Sequence, residues 1–266
     1  MVYHQKDSLG QNFIKYRGLV SELIAEADIS ETDTVIEIGP GKGIITQALI
    51  KTANKVVAIE KDKLLVAELI KKFEGVKNLE IVEGDILTTS LPDSEYKIFS
   101  NIPFSITSEI MAHVLQSKVL PTSMYLIMQQ ETAEKFSGAR CESLSSVLTK
   151  PFFEVKILGE IDRTNFTQKP QVHIMFTSFK RREHPFIKEE DKKLFRDFVS
   201  YGFTKWQPTV MESYKKVMTF DQIKNIKKML KIGEVKPSEL SFDKWLLLFK
   251  TWDKIANVKQ RKEVTR

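Results

Sequence analysis

From residue 17 to residue 136 the chain alternates short apolar runs with longer stretches in which apolar residues recur every three or four positions. The runs at 34–38, 55–59, 79–82, 96–99 and 123–128 predict buried strands, and the periodic stretches at 17–27, 43–52, 63–73, 105–116 and 131–136 predict helices. A strand followed by such a helix returns to its sheet by a right-handed crossover, so the expected core is a mostly parallel α/β sheet. Two later runs, 153–158 and 172–179, have no long helix between them and predict an antiparallel pair at the sheet edge. Beyond Arg181-Arg182-Glu183-His184-Pro185 only the helical period remains, over 189–203, 220–230 and 241–249. Ser241 is placed to cap the last helix, with Lys244 rather than Glu or Gln at the position that would complete a capping box. The pattern divides into an α/β domain over 1–179 and a small all-helical domain over 180–266, with the polar stretch 257–266 expected to fray. No internal repeat or low-complexity segment interrupts either part.

Charge sharpens this division. The 266-residue chain has a formal net charge of +6, but residues 1–178 hold 19 Lys+Arg against 23 Asp+Glu, and residues 179–266 hold 22 against 12. A mildly acidic body with a basic end is the asymmetry expected of a protein that binds a polyanion. With 42% hydrophobic residues the composition is neither disordered nor fibrous. The single cysteine, Cys141, can form no intramolecular disulfide, which points to a reducing compartment and a cytoplasmic protein. The apolar runs are too short for a membrane span, and residues 1–10 carry no apolar signal-peptide core.

In an open α/β sheet, ligands bind beyond the carboxyl ends of the strands, so the residues after each strand are the candidates for chemistry. After the first comes Glu37-Ile38-Gly39-Pro40-Gly41-Lys42-Gly43, a turn whose glycines let a ligand approach the backbone. Ile44 stands where a G-x-G-x-x-G dinucleotide motif would have its third Gly. Glu60 follows the second strand, where an acid can accept hydrogen bonds from ribose hydroxyls. Asp85, in Gly84-Asp85-Ile86, follows the third, and its carboxylate or adjoining backbone can hold the amino group of an adenine. After the fourth, Asn101-Ile102-Pro103-Phe104 sets an amide, a stiffened turn and an aromatic ring in succession, a flat slot with acceptors at one edge. Each motif alone has an ordinary explanation as a tight turn, a helix-start acid, a loop residue or an Asn-x-Pro turn. Their shared place at one sheet edge gives them joint weight.

These residues resemble the S-adenosylmethionine-dependent methyltransferases, and in detail the ribosomal RNA adenine N6-methyltransferases, over nearly the whole chain. Gln11-Asn12-Phe13-Ile14 is similar to the family's N-terminal cofactor-contacting segment, Glu37 to Gly43 to its Gly-rich motif, Glu60 to its ribose acid, and Asp85 to its adenine contact. Asn101 to Phe104 is similar to the catalytic tetrapeptide, and Asn165-Phe166 with Lys169-Pro170-Gln171-Val172 resembles the segment where a second aromatic flanks the target base. Gln168 departs from a proline frequent there, and Phe104 stands where tyrosine is common, although either ring can stack. The resemblance implies a Rossmann-like fold with a helical C-terminal domain, S-adenosyl-L-methionine as cofactor and S-adenosyl-L-homocysteine as product. It implies cofactor contacts at Gln11, Asn12, Ile14, Gly39, Gly41, Glu60, Lys61, Asp85, Ile86 and Asn101, and a catalytic set of Asn101, Ile102, Pro103, Phe104 and Phe166 with no metal. The tetrapeptide and the ending Leu240-Ser241-Phe242 to Leu248-Phe249 look closer to the erythromycin-resistance methyltransferases than to the small-subunit dimethyltransferases. The implied reaction is N6-methylation, expected as dimethylation, of one 23S rRNA adenine, giving macrolide, lincosamide and streptogramin B resistance.

A methyl group on a sulfonium is already activated, so its transfer needs an in-line attack and no covalent enzyme intermediate. Adenine N6 is a poor nucleophile because its lone pair is delocalised into the ring. Acceptors at the Asn101 side-chain oxygen and at the Ile102 or Pro103 carbonyl would bind the amine hydrogens and favour a pyramidal nitrogen in the transition state. Phe104, and Phe166 on another face, would stack on the base at about 1–3 kcal/mol each. The base must leave its helix or lie in an irregular loop, and the basic end would hold RNA phosphates while the enzyme acts as a monomer. Trp245 and Trp252 are read as core of the helical domain, and Trp206 less clearly so.

Other chemistries find less support. Cys141 lies away from the strand ends, which argues against a cysteine nucleophile, and His4, His113, His173 and His184 lack metal-ligand spacing. No P-loop and no recognisable Ser/His/Asp set occurs. Two rivals stay open: dimethylation of small-subunit rRNA, and a non-catalytic RNA-binding assembly factor that keeps the fold as scaffold. The second would be marked by decay of the cofactor motifs, yet Gly39, Gly41, Glu60, Asp85 and Asn101 are all in place.

Overall fold

A computed structural model describes residues 13–205 and 207–265. One seven-stranded sheet has the order β3-β2-β1-β4-β5-β7-β6. Its strands are β1 (Thr34–Ile38), β2 (Lys55–Glu60), β3 (Leu79–Glu83), β4 (Lys97–Asn101), β5 (Ser123–Gln129), β6 (Phe153–Ile161) and β7 (Ile174–Arg181). β1 to β5 are parallel, and β7 runs antiparallel to β5 over Ser123–Gln129. The two late runs do meet at the sheet edge, with β7 inside against β5 and β6 outermost. The central strands read as continuous apolar runs because both faces are covered: Val35, Ile36, Ile98, Phe99 and Met124 through Met128 are all buried. This is the Rossmann-like α/β fold that the strand–helix alternation predicts.

The strand order reverses between β1 and β4, which makes their carboxyl ends the topological switch point. The ladder there covers only Val35↔Lys97 and Ile36↔Ile98, so the strands part before they end. Across the gap the buried Ser100 hydroxyl donates to the Ile38 carbonyl at 2.6 Å, supplying the hydrogen bond that the ladder no longer makes. Helices α1 (Arg17–Glu26), α2 (Ile44–Leu49), α3 (Lys63–Lys72), α4 (Thr107–Leu115) and α5 (Gln130–Ser137) follow in chain order. α1 buries Val20, Leu23 and Ile24, the three- and four-residue spacing of one helix face, in a core with Leu49, Phe99, Tyr125 and Phe176. α2 and α4 are shorter than predicted. α4 begins only after a 3₁₀ turn over Phe104–Ile106, where the backbone is still turning away from Pro103.

The chain divides into two compact units, 1–133 with 156–181, and 134–155 with 182–266. The sequence pattern groups all of 1–179 with the sheet; in the fold, 134–155 joins the helical unit instead. The physical reason is Glu142, just ahead of α6 (Leu144–Thr149). Its carboxylate accepts from Lys150 Nζ at 2.7 Å and from the Phe242 N–H at 3.3 Å, and its own N–H donates to the Ser238 carbonyl at 3.0 Å. The remaining helices are α7 (Lys192–Thr204), α8 (Val210–Ser213), α9 (Phe220–Leu230), α10 (Phe242–Ile255) and α11 (Val258–Val264). Ser241 is the N-cap residue of α10 but makes no side-chain bond, so the Glu142 carboxylate satisfies the first amide in its place. Trp245 and Trp252 are fully buried, as expected of core, among Phe195, Phe198, Tyr214 and Phe249. Trp206 lies outside the described residues.

The expected fraying of 257–266 is corrected. Residues 258–264 are helical because Asn257 and Gln260 form a reciprocal capping box, Val264 is buried, and Gln260 Nε2 donates to Gln222 Oε1 at 2.8 Å. Arg261 adds a hydrogen bond to the Asp253 carbonyl at 2.6 Å. Among the described residues no helix is long and apolar enough to cross a membrane.

Candidate active site

A cavity of about 390 Å³ opens at the carboxyl ends of β1 to β4. Each of the four strand-end motifs contributes to its wall: Gly39, then Glu60 and Lys61, then Asp85 and Ile86, then Asn101 through Phe104. Its size lies in the range of about 300–1,000 Å³ typical of small-molecule sites. The parallel sheet brings these motifs together, because parallel strands all end at one edge. Phe13, Ile38, Ile59, Ser105 and Ile106 also line the cavity and were not among the predicted contacts. For Ile38 and Ile59 the signal is available: each is the last apolar residue of a strand whose successor lines the cavity.

The glycines of the turn serve two different ends. Gly39, Gly41 and Gly43 all have positive φ, between 58° and 72°, the region L side chains rarely adopt. A Cβ on Gly41 would collide with the Phe13 ring, and one on Gly43 would meet Phe73 and Leu69 at 2.7 and 2.8 Å. A Cβ on Gly39 would meet only the Pro103 ring, at 3.8 Å and beyond. Gly39 therefore faces open cavity, whereas Gly41 and Gly43 are required by packing. Gly41 does not line the cavity; its N–H donates to Glu60 Oε2 at 3.1 Å.

Glu60 is buried and joins two strand ends. Besides the Gly41 amide, its Oε1 accepts the N–H groups of Lys61 at 2.9 Å and Asp62 at 3.0 Å. These amides hold the carboxylate in one orientation at the cavity wall. Asp85 is fixed similarly, accepting from Lys61 Nζ at 2.8 Å and from the Leu87 N–H at 3.0 Å. The Lys61 and Leu87 hydrogen bonds hold its carboxyl below the usual aspartate range, so it is ionised at neutral pH.

A third acid lies beneath the turn. Glu37 is wholly buried and accepts from the Thr46 hydroxyl at 2.6 Å. Burial pushes its pKa up to about 8; the Thr46 bonds oppose this and the nearby Glu60 carboxylate adds to it. At neutral pH it is largely a neutral acid, a property that no spacing in the sequence discloses.

In the tetrapeptide, the Ile102 N–H donates to the Ile127 carbonyl at 3.2 Å, which pins this peptide to the end of β5. The Pro103 carbonyl already accepts from the Ile106 N–H at 3.3 Å and the Thr107 hydroxyl at 3.1 Å. Phe104 is half-buried, packed on the core by one side and lining the cavity with another. Phe166 differs from expectation. It is 1% exposed, belongs to the core of the sheet unit, and does not line the cavity. Its backbone forms an antiparallel bridge with Ile14, which is also buried, so both residues hold the segment ahead of α1 in place. Gln11 and Asn12, the other predicted contacts of that segment, lie outside the described residues.

Comparison with known proteins agrees with this geometry. Residues 2–254 match the family described as ribosomal RNA adenine dimethylase. An rRNA adenine N-6-methyltransferase of Bacteroides fragilis is 32% identical over 219 residues, 82% of each chain. A ribosomal RNA small subunit methyltransferase A of Lactococcus lactis is 27% identical, over 89% of this chain and 84% of its own. The crystal structure of the 23S rRNA methyltransferase ErmE matches with a TM-score of 0.77 at 26% identity, covering 91% of this chain and all of that one. With the family match spanning the sheet, its strand-end cavity and most of the helical unit, the chain belongs to the ribosomal RNA adenine dimethylase family and is an rRNA adenine N6-methyltransferase.

Proposed function

We propose that this chain transfers methyl groups from S-adenosyl-L-methionine to N6 of one 23S rRNA adenine, to the dimethyl product, and thereby confers macrolide, lincosamide and streptogramin B resistance. The observation that carries the reading is the meeting of Glu60, Asp85, Asn101 and Phe104 in one nucleoside-sized cavity. The residues fit the cofactor. The Glu60 oxygens keep lone pairs that would take ribose hydroxyls, Ile59, Ile86 and Ile106 would flank an adenine whose amino edge Asp85 would meet, and Gly39 would admit close approach. When bound, S-adenosyl-L-methionine supplies a methyl group on a cationic sulfur. The Asn101 side-chain oxygen accepts one hydrogen of the target amine. The Ile102 carbonyl is the better second acceptor, because the Pro103 carbonyl is already engaged. Phe104 stacks on one face of a base turned out of its helix, and the protein acts as a monomer in the cytoplasm.

For the large-subunit target, support comes from the Asn-Ile-Pro-Phe tetrapeptide, the C-terminal Leu240 to Phe249 segment and the likeness to ErmE. The small-subunit reading is favoured by the Lactococcus lactis relative, which covers a similar share of the chain. Mass mapping of both rRNAs from cells expressing the protein separates them. Added methyl on a large-subunit adenine, with survival on a macrolide, is the expected result; methyl confined to the small subunit overturns the 23S assignment.

A further inference from the structure

The sheet unit holds a second cavity, of about 300 Å³, which shares Phe13, Gly39 and Asn101 with the first. Four of its lining residues are cationic, Lys15, Arg17, Lys42 and Lys72, and none is acidic. They come from three separate places: the segment entering α1, the Gly-rich turn, and the last turn of α3. We infer that this cleft grips backbone phosphates of the RNA beside the target adenine, as a second hold on the polyanion in addition to the basic helical unit. The inference rests on Asn101 receiving the adenine, as proposed above, but not on which rRNA is the substrate.

Among the described residues no acidic side chain touches these cations. Among the described residues none of the four forms an ion pair. Lys72 Nζ donates to the carbonyls of Lys42 at 2.6 Å and Gly43 at 3.3 Å, while Lys42 and Lys15 lie over the rings of Phe13 and Tyr16, at 5.6 and 5.1 Å. All these partners are neutral. The nearby acid, Glu37, is buried under the turn with its pKa raised to about 8, and it neither lines the cleft nor forms an ion pair with Lys72. Burial first, and then the neighbouring Arg17, push the Lys72 ammonium below the ordinary lysine value, while the Glu37 side chain pulls weakly the other way. The segment that carries Lys15 and Arg17 is also anchored: the Ile14–Phe166 bridge is flanked by Lys15 N–H to Asn165 carbonyl at 2.9 Å and Thr167 N–H to Phe13 carbonyl at 2.8 Å. An anchored set of cations without acids, next to the amine-binding residue, suits a polyanion whose reactive base and backbone enter together. The cofactor's carboxylate is a single negative charge and would satisfy only part of the set.

The test uses the full chain, labelled RNA fragments of the large- and small-subunit target regions, and S-adenosyl-L-homocysteine as cofactor probe. In Arg17→Ala/Lys42→Ala, RNA affinity at moderate salt should fall about tenfold or more, and the slope of log K against log salt should drop by about 1.4, two single-strand contacts at about 0.7 each. Homocysteine-product affinity by calorimetry should stay within about twofold. Unchanged RNA affinity and slope overturn the inference. So does a loss of cofactor-probe affinity with RNA binding intact, which would assign the cleft to the cofactor's carboxylate. Lys15→Gln with Lys42→Gln gives the same reading should the alanine pair not fold. If methyl mapping places the product on the small subunit, the 23S reading fails, but loss of affinity for the small-subunit fragment still supports the cleft.

Discussion

Ile14 and Phe166 are buried opposite one another on an antiparallel bridge that ties the segment ahead of α1 to the segment ahead of β7. Phe166 thus works as an anchor in the core, and through it Phe13 and Asn101 come to share two cavity walls.

Truncating that anchor should show in stability before it shows in catalysis. Phe166→Ala is expected to cost about 3–5 kcal/mol of unfolding free energy, as removal of a buried ring does, and Phe166→Leu clearly less. Denaturant unfolding measures the cost. Turnover of folded Phe166→Leu at saturating RNA should remain within a few-fold of the parent; a hundredfold loss without destabilisation would place the ring on the base after all.

Asn101→Ala should lower single-turnover methyl transfer by about 10²–10³, the scale of removing one group that hydrogen-bonds selectively in a transition state. Affinity for S-adenosyl-L-homocysteine should weaken only modestly, since Glu60 and Asp85 are untouched. Near-normal transfer by this variant would remove Asn101 from the amine.

The Gly-rich turn can be tested by contrasting two glycines. Gly41 and Gly75 both have positive φ, but a Cβ collides with Phe13 only at Gly41. Gly75→Ala is expected to cost about 1–2 kcal/mol from the backbone alone. Gly41→Ala should cost more and also weaken cofactor binding, because Phe13 must leave the cavity wall; equal costs at the two positions would deny that packing role.

Glu37 makes stability depend on pH in an identifiable direction. Its folded pKa of about 8 lies above the ordinary value of 4.5, so the native state keeps a proton that the unfolded chain releases. The contribution is full below about pH 4.5 and is lost as pH rises toward and through 8. Glu37→Gln keeps an acceptor for the Thr46 hydroxyl and removes the titration. The difference in urea midpoint between variant and parent should therefore move in the variant's favour from pH 6 to pH 8.5; a flat difference would mean that Glu37 ionises freely.

The C-terminal helix gives a further stability test. Asn257→Ala should cost about 1 kcal/mol through the lost cap, and ending the chain at Ala256 should cost more by exposing the surface that Val264 and Gln260 cover. Unchanged unfolding of the truncated chain would restore the picture of a frayed tail.

Much of this protein is written locally. The runs at 34–38 and 55–59 announce β1 and β2 because a strand buried on both faces must be apolar throughout, and the spacing of Val20, Leu23 and Ile24 announces α1 because a helix buries one face. The strand-end residues Gly39, Glu60, Asp85 and Asn101 were legible for a related reason: parallel strands end at one edge, so four motifs far apart in sequence must converge. What tertiary structure alone decided depends on distances between segments that share no periodicity. Phe166 has the residue type of a stacking ring, yet it is buried in the core on a backbone bridge to Ile14. Residues 134–155 belong with the helices because Glu142 meets Phe242 and Ser238. Lys15, Arg17, Lys42 and Lys72 disappear into a net-negative tally of residues 1–178, because formal charge adds along a chain regardless of place. Electrostatic potential falls with separation, and only the fold brings those four cations to one cleft beside Asn101.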